Sequence, residues 1–197
     1  MKNAAVGFRA HSGWTAMVAV AGPMAAPTVL DRRIIHLVKT FTYTFRQPYH
    51  TAEKMPFSDG AKFIKNSRIE AGQLALAAIR GLQKELDKLG WKLSACGLLL
   101  ASGRALPELA KILASHAIIH TADGELFRDA LRGACAKCDI PLVALKEREI
   151  FDEGSKALRL KPDALERRIA AMGKPLGPPW SQDEKFSALA AWISLAG

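Results

Sequence analysis

Of the five histidines in this chain, two share a spacing that could do chemistry. Ser115-His116-Ala117-Ile118-Ile119-His120 places two imidazoles at i and i+4, one face of a helix. That spacing suits a metal ion. Zinc proteases carry a glutamate directly after the first histidine, and Ala117 stands there instead. With His50 or Glu125 as a third donor, His116 and His120 could hold one divalent metal. The competing reading is one locally hydrogen-bonded histidine and one on the surface, so no cofactor is firmly implied.

A second chemistry is anion binding. Ser102-Gly103-Arg104 follows an apolar run and offers a hydroxyl, exposed amides and a guanidinium in one loop. Arg9 and Ser12, around the first turn of the chain, are the other ligand-binding candidates. The plainer account of 102–104 is a strand-to-helix turn with a solvated arginine. Cys135-Ala136-Lys137-Cys138 is a lone pair of thiols near a helix C-terminus, whereas redox motifs use a helix N-terminus; ordinary thiols explain it. No Walker loop, GxGxxG or GxSxG occurs.

Composition bounds the rest. The chain has 197 residues, 49% hydrophobic and 24% charged, enough for one substantial core. Its net charge of +9 favours nucleic acid or a phosphorylated ligand as partner, although the basic residues are spread along the chain. Three cysteines make no disulfide framework and fit a reducing, cytoplasmic setting. No apolar run is long enough to span a membrane. The Ala/Val-rich start, up to Ala25-Ala26-Pro27, superficially resembles a signal peptide. Arg9, His11, Ser12 and Gly13 interrupt it, and a β-hairpin accounts for the same letters.

The elements that would position these groups follow from periodicity. Strands are expected at 4–10, 14–21 and 28–38, joined by two turns into a meander. Residues 37–46 alternate, with Lys39, Phe41, Tyr43 and Phe45 on one face, so they extend the third strand or add an edge strand. The aromatic side is expected to face the core. A long helix spans 61–89, capped by Ser58 or Asp59 and ended by Gly90. Its stripe runs through Ala71, Leu74, Ala78, Leu82, Leu86 and Leu89, widened by Ile64, Ile69, Leu76 and Ile79. A buried strand at 91–100, a helix at 107–119, another from Thr121 to Cys138, a strand at 141–146 and a helix at 161–172 complete the pattern. Residues 173–179 read as a Gly/Pro linker. Ser181 caps a last helix, 182–195. Arg32-Arg33 and Arg167-Arg168 read as solvated pairs.

A three-strand meander followed by helix–strand crossovers resembles the ribonuclease H-like superfamily. The expected fold is α/β, with a mixed sheet in the order βββαβαβα, helices on both faces and an additional C-terminal helix. The domain boundaries are 1–172 for the α/β body and 173–197 for the linker and the helix packed on it. In that superfamily, carboxylates from the first strand, the first helix region, the end of the fourth strand and a later helix hold two metal ions. Here the first strand offers Arg9 and His11, and the fourth strand ends in Ser102-Gly103-Arg104. The resemblance therefore implies a scaffold without the two-metal nuclease chemistry. The related ATPases need an acid in the first strand too, so ATP hydrolysis is not expected.

The resemblance also brings His11, Ser12, Tyr49, His50, Ser102, Arg104, His116, His120, Asp123 and Glu125 together, with four of the five histidines expected on one side of the sheet. Three readings stay open. The first is a phosphate- or nucleic-acid-binding module using Arg9, Ser12, Ser102, Gly103 and Arg104. The second is a hydrolase or metal-dependent enzyme using His11, His50, His116 and His120, with Glu125 as ligand or base. The third is an assembly protein, conceivably a homodimer, presenting Phe186, Trp192 and Ile193 of its last helix.

Overall fold

The computed structural model describes residues 1–101 and 105–197. Five strands form one mixed sheet: β1 (Lys2–His11), β2 (Trp14–Ala21), β3 (Thr28–His36), β4 (Trp91–Leu100) and β5 (Leu142–Lys146). Their spatial order is β3-β2-β1-β4-β5. β1 is antiparallel to β2, and β2 to β3, while β1–β4 and β4–β5 are parallel. Gly13, with φ of +84°, makes the tight β1–β2 turn. The signal-like letters are thus the two central antiparallel strands, buried almost throughout. Among the described residues, no helix is long and apolar enough to cross a membrane.

One face of the sheet is covered by α3 (Phe57–Lys88) and α5 (His116–Lys137), with the short helices α1 (Tyr43–Arg46), α2 (Pro48–Ala52) and α4 (Leu109–Leu113) at their ends. The other face carries α6 (Ile150–Leu158), α7 (Pro162–Met172) and α8 (Gln182–Ala196). Alternation along β1 feeds both cores: Ala4, Val6 and Phe8 face the first, Ala5 the second.

The closest packing in the molecule is α8 on the sheet. A methyl on Gly7 of β1 would stand 1.8 Å from the Ser187 carbonyl oxygen, and one on Gly97 of β4 2.4 Å from that of Ala190. Two glycines side by side on parallel strands, facing Ser187, Ala190 and Ala191, let helix backbone rest on strand backbone. Ser181 starts this helix with a capping box to Glu184, as its sequence predicts. Trp192 is fully buried and Ile193 nearly so. The surface expected for an assembly partner is therefore spent on the sheet.

Several local expectations are corrected. Residues 37–46 are not a strand. Leu37 and Val38 are both buried, but β3 ends at His36. The chain bends there and then turns into α1 and α2. Phe41 and Tyr43 consequently face outward, 44% and 58% exposed, and only Phe45 leans on the core. α3 begins at Phe57 behind Pro56 without a side-chain cap. Its buried line passes through Ala71, Ala75, Ile79, Leu82 and Leu86, leaving Ile69 half exposed and Leu89 outside. The apolar stripe is wider than the contact face, and the small Ala71 and Ala75 set which part is pressed inward.

The helix break falls at Ala114-Ser115 rather than after His120. Ser115 takes the extended N-cap position, which its short polar side chain favours. Both histidines thereby join the first turns of α5. Helix α6 is not anticipated by the patterning. Three of the four paired arginines are tethers: Arg32 donates to the Gly177 and Pro179 carbonyls, Arg33 meets Asp31 and Glu85, and Arg168 donates to the Ala25 carbonyl, while Arg167 is exposed as expected.

Candidate functional site

The candidate residues divide between the two faces of the sheet. Odd-numbered side chains near the end of β1 point toward α8, so Arg9 and His11 emerge beside its first turn. Arg9 binds Glu147, which directly follows β5, in a fork: Nε to Oε2 at 3.1 Å and Nη2 to Oε1 at 2.5 Å. Its remaining nitrogen, Nη1, donates to Asp183 Oδ1 at 2.6 Å. The same oxygen lies 2.7 Å from His11 Nε2. His11 also stacks on Trp14, and the Arg9 guanidinium lies over the Phe186 ring. The hydrogen bonds from Arg9 to Glu147 hold its guanidinium still higher than usual, against the opposing cost of burial.

Carboxylates from the end of β5 and the start of α8 thus do converge on β1, but onto a guanidinium. A two-metal centre needs bare acidic oxygens around its ions. At this position a fixed cation occupies them, and the β1 residue is basic. The residues present do not fit the metal pair that the superfamily implies. Arg9 is likewise not a free cation, since each of its three guanidinium nitrogens binds a carboxylate of its own chain. The Ser12 carbonyl accepts from Arg46 Nε, placing Ser12 at the outer turn. Ser102, Gly103 and Arg104 lie outside the described residues.

On the opposite face three histidines come together. His50 reaches in from α2; His116 and His120 stand on successive turns of α5. One nitrogen from each lies within 4.8 Å of the others. His116 Nε2 and His120 Nε2 are 3.1 Å apart, and the His50 ring packs edge-on against both. His50 is buried while His116 and His120 are exposed.

Behind this cluster lies Asp123, which the sequence analysis placed with the histidines but gave no role. Asp123 is 1% exposed and accepts two hydrogen bonds, from the Tyr49 backbone N–H at 2.7 Å and from His50 Nδ1 at 2.5 Å. Burial pushes its carboxyl above the ordinary range, opposed by those two bonds. With Nδ1–H given to the carboxylate, a neutral His50 carries its lone pair on Nε2. Glu125 does not join: it is tied to Arg128 Nη1 at 3.1 Å. His11 does not join either, being on the other face. A signal for Asp123 existed, as an acid three residues after His120 on the same helix face as the buried Ala122-Leu126 line. Glu147 and Asp183 had no such signal, because their meeting with Arg9 depends on sheet closure.

A cleft of about 710 Å³ opens between α3, the end of β4, α4 and α5. Lys65, Arg68 and Arg132 line it with Tyr49, Leu106 and Ile112, and Glu125 and Asp129 share its wall. Arg68 donates to the Tyr49 hydroxyl at 2.6 Å.

No family model matches the sequence, and no curated protein does either. Solved structures do resemble it. Thermus thermophilus RuvC in complex with a Holliday junction substrate superposes with a TM-score of 0.51 at 9% identity, over 96% of this chain and 90% of that one. The yeast mitochondrial Holliday junction resolvase Ydc2 gives 0.51 at 10% identity, over 98% and 78%.

The fold is ribonuclease H-like.

The strand order, the α8 packing and these two likenesses agree on it. At such identities the likeness shows the fold alone.

Proposed function

We propose that this chain binds nucleic acid through its phosphates, on a ribonuclease H-like scaffold that does not cut by the two-metal route. The observation that carries this reading is the cleft between α3, α4 and α5, where Lys65 and Arg68 are exposed and no carboxylate pairs with either among the described residues. Arg132 adds a third cation, partly offset by Asp129. A cleft of that sign, on a chain of net charge +9, concentrates a polyanion and fixes its backbone through charge-assisted hydrogen bonds. Phosphate contacts supply affinity without sequence choice.

The second part rests on Arg9. In the nucleases of this superfamily the corresponding strand supplies an acid. Here the guanidinium neutralises Glu147 and Asp183 and removes them from metal chemistry. Binding without that cleavage is the function this arrangement supports. The two solved neighbours are a resolvase bound to a Holliday junction and a second Holliday junction resolvase, so branched DNA is the first ligand to test.

The experiment is fluorescence anisotropy with a labelled four-way junction, a duplex and a single strand, titrated at several salt concentrations with Mg²⁺ present. Three phosphate contacts give a log–log salt slope of about −2.7, with no strand cut. Salt-insensitive binding, no binding at low salt, or Mg²⁺-dependent cleavage would each overturn the reading.

A further inference from the structure

We infer that His50, His116 and His120 form a binding site for one divalent transition-metal ion of the zinc class, with Asp123 as the carboxylate that orients His50. This does not depend on nucleic-acid binding; it lies on separate side chains and takes a different ligand.

The first argument is geometric. Two imidazole nitrogens bound to one tetrahedral Zn²⁺ at 2.0–2.1 Å lie about 3.3 Å apart. His116 Nε2 and His120 Nε2 already stand at 3.1 Å. The widest separation within the trio is no more than 4.8 Å. The two donors that must close that gap are exposed at the start of α5, where side-chain rotation meets little resistance. The buried donor, His50, is held by Asp123 through Nδ1, which leaves Nε2 as its ligating nitrogen.

The second argument is the carboxylate. Metal-bound histidines characteristically give their second N–H to a carboxylate, which fixes the tautomer and raises the basicity of the ligating nitrogen. His50 and Asp123 have that arrangement, at 2.5 Å and fully enclosed. Asp123 alone could serve to seat His50 and the Tyr49 N–H. That role gives no reason for two further imidazoles to face the same ring at centroid distances of 4.4 and 5.2 Å.

The third argument is selectivity. The donors are three imidazole nitrogens, and the Asp123 carboxylate is engaged on His50 Nδ1. Hard ions such as Mg²⁺ and Ca²⁺ want oxygen; imidazole suits Zn²⁺, Co²⁺, Ni²⁺ and Cu²⁺. Three ligands with solvent on the exposed side leave a fourth position open, the pattern of zinc sites that carry a water rather than of closed structural ones.

The test is titration of chelator-treated full-length protein with ZnCl₂ by calorimetry, and with CoCl₂ by visible absorption. The expected result is one ion per chain and the intense d–d bands of four-coordinate Co²⁺. His116→Ala and His120→Ala each abolish both signals while circular dichroism stays native, because both side chains are exposed. His36→Ala, an exposed histidine elsewhere, leaves them intact. Asp123→Asn lowers affinity roughly 10–100-fold where it folds. Absence of saturable binding by the parent chain, or undiminished binding by the His116→Ala/His120→Ala double variant, overturns the site.

Discussion

The Asp123 carboxylate lies 2.5 Å from His50 Nδ1, with both side chains almost wholly enclosed between α2 and α5. An acid buried at this depth is costly unless its lone pairs are used. Here they bind an imidazole and the Tyr49 amide, so the pair ties α2 to α5. Removing one partner leaves the other unsatisfied. Asp123→Ala is expected to destabilise the protein by about 3–5 kcal/mol, whereas His116→Ala, on the exposed side of the same cluster, costs under about 0.5 kcal/mol. Urea denaturation of both variants checks the contrast.

Charge at the cleft is testable by reversal. Lys65→Glu is expected to weaken binding of all DNA forms alike and to reduce the magnitude of the salt slope by about 1. Lys84→Glu, far along α3 from the cleft lining, leaves both unchanged. Anisotropy titrations at matched salt distinguish the two.

The Arg9 clamp yields a change in kind. Arg9→Leu strands Glu147 and Asp183 beside each other and is expected to cost about 1.5–3 kcal/mol. Arg9→Asp instead sets a third carboxylate between them. That variant is less stable without metal, and its melting temperature rises with added Mg²⁺ or Mn²⁺, as linkage requires when an ion binds only the folded state. Thermal melts with and without the ions measure this; the parent protein shows no such rise from this locus.

Glycine packing gives a pair of opposite sign. Gly7→Ala forces a methyl to 1.8 Å from the Ser187 oxygen, so α8 must lift, at about 3 kcal/mol or more. Gly72→Ala, inside α3 with nothing within 4 Å of the new carbon, is expected to stabilise by about 0.5–1 kcal/mol. Chemical denaturation reads both, and proteolysis at 173–181 reports whether α8 has loosened.

The thiols differ in reactivity. Cys96 is pushed far above the ordinary thiol range by its hydrogen bond to Cys135 and by burial. Burial also raises Cys138, less completely, as it is only half-buried. In native protein an aromatic disulfide reagent is expected to label Cys138 alone, slowly at neutral pH and faster as pH rises and the thiolate forms. Cys96 and Cys135 react only on unfolding.

Sequence by itself determined the order of elements and hence the fold. Alternation in 2–21, the long apolar stripe of α3, the buried run of β4, the short apolar run of β5, and the Ser181 cap are local signals, each written in neighbouring residues. It also determined that an acid is missing from β1 and that His116 and His120 share a helix face. What it could not determine was which distant groups meet. His11 and His50 are drawn to opposite faces because β1 alternates about the sheet plane, and only sheet closure decides which side each lands on. Arg9 meets Asp183, 174 positions away, because Gly7 and Gly97 admit α8 backbone to the strands. Asp123 became the partner of His50 because the helix break moved to Ser115, turning that acid inward. Residues 37–46 left the sheet although their period-two pattern suits a strand: the chain bends after His36 and turns into α1 and α2. Each of these choices is settled by long-range burial, which overrides local propensity and has no signature in any single window of sequence.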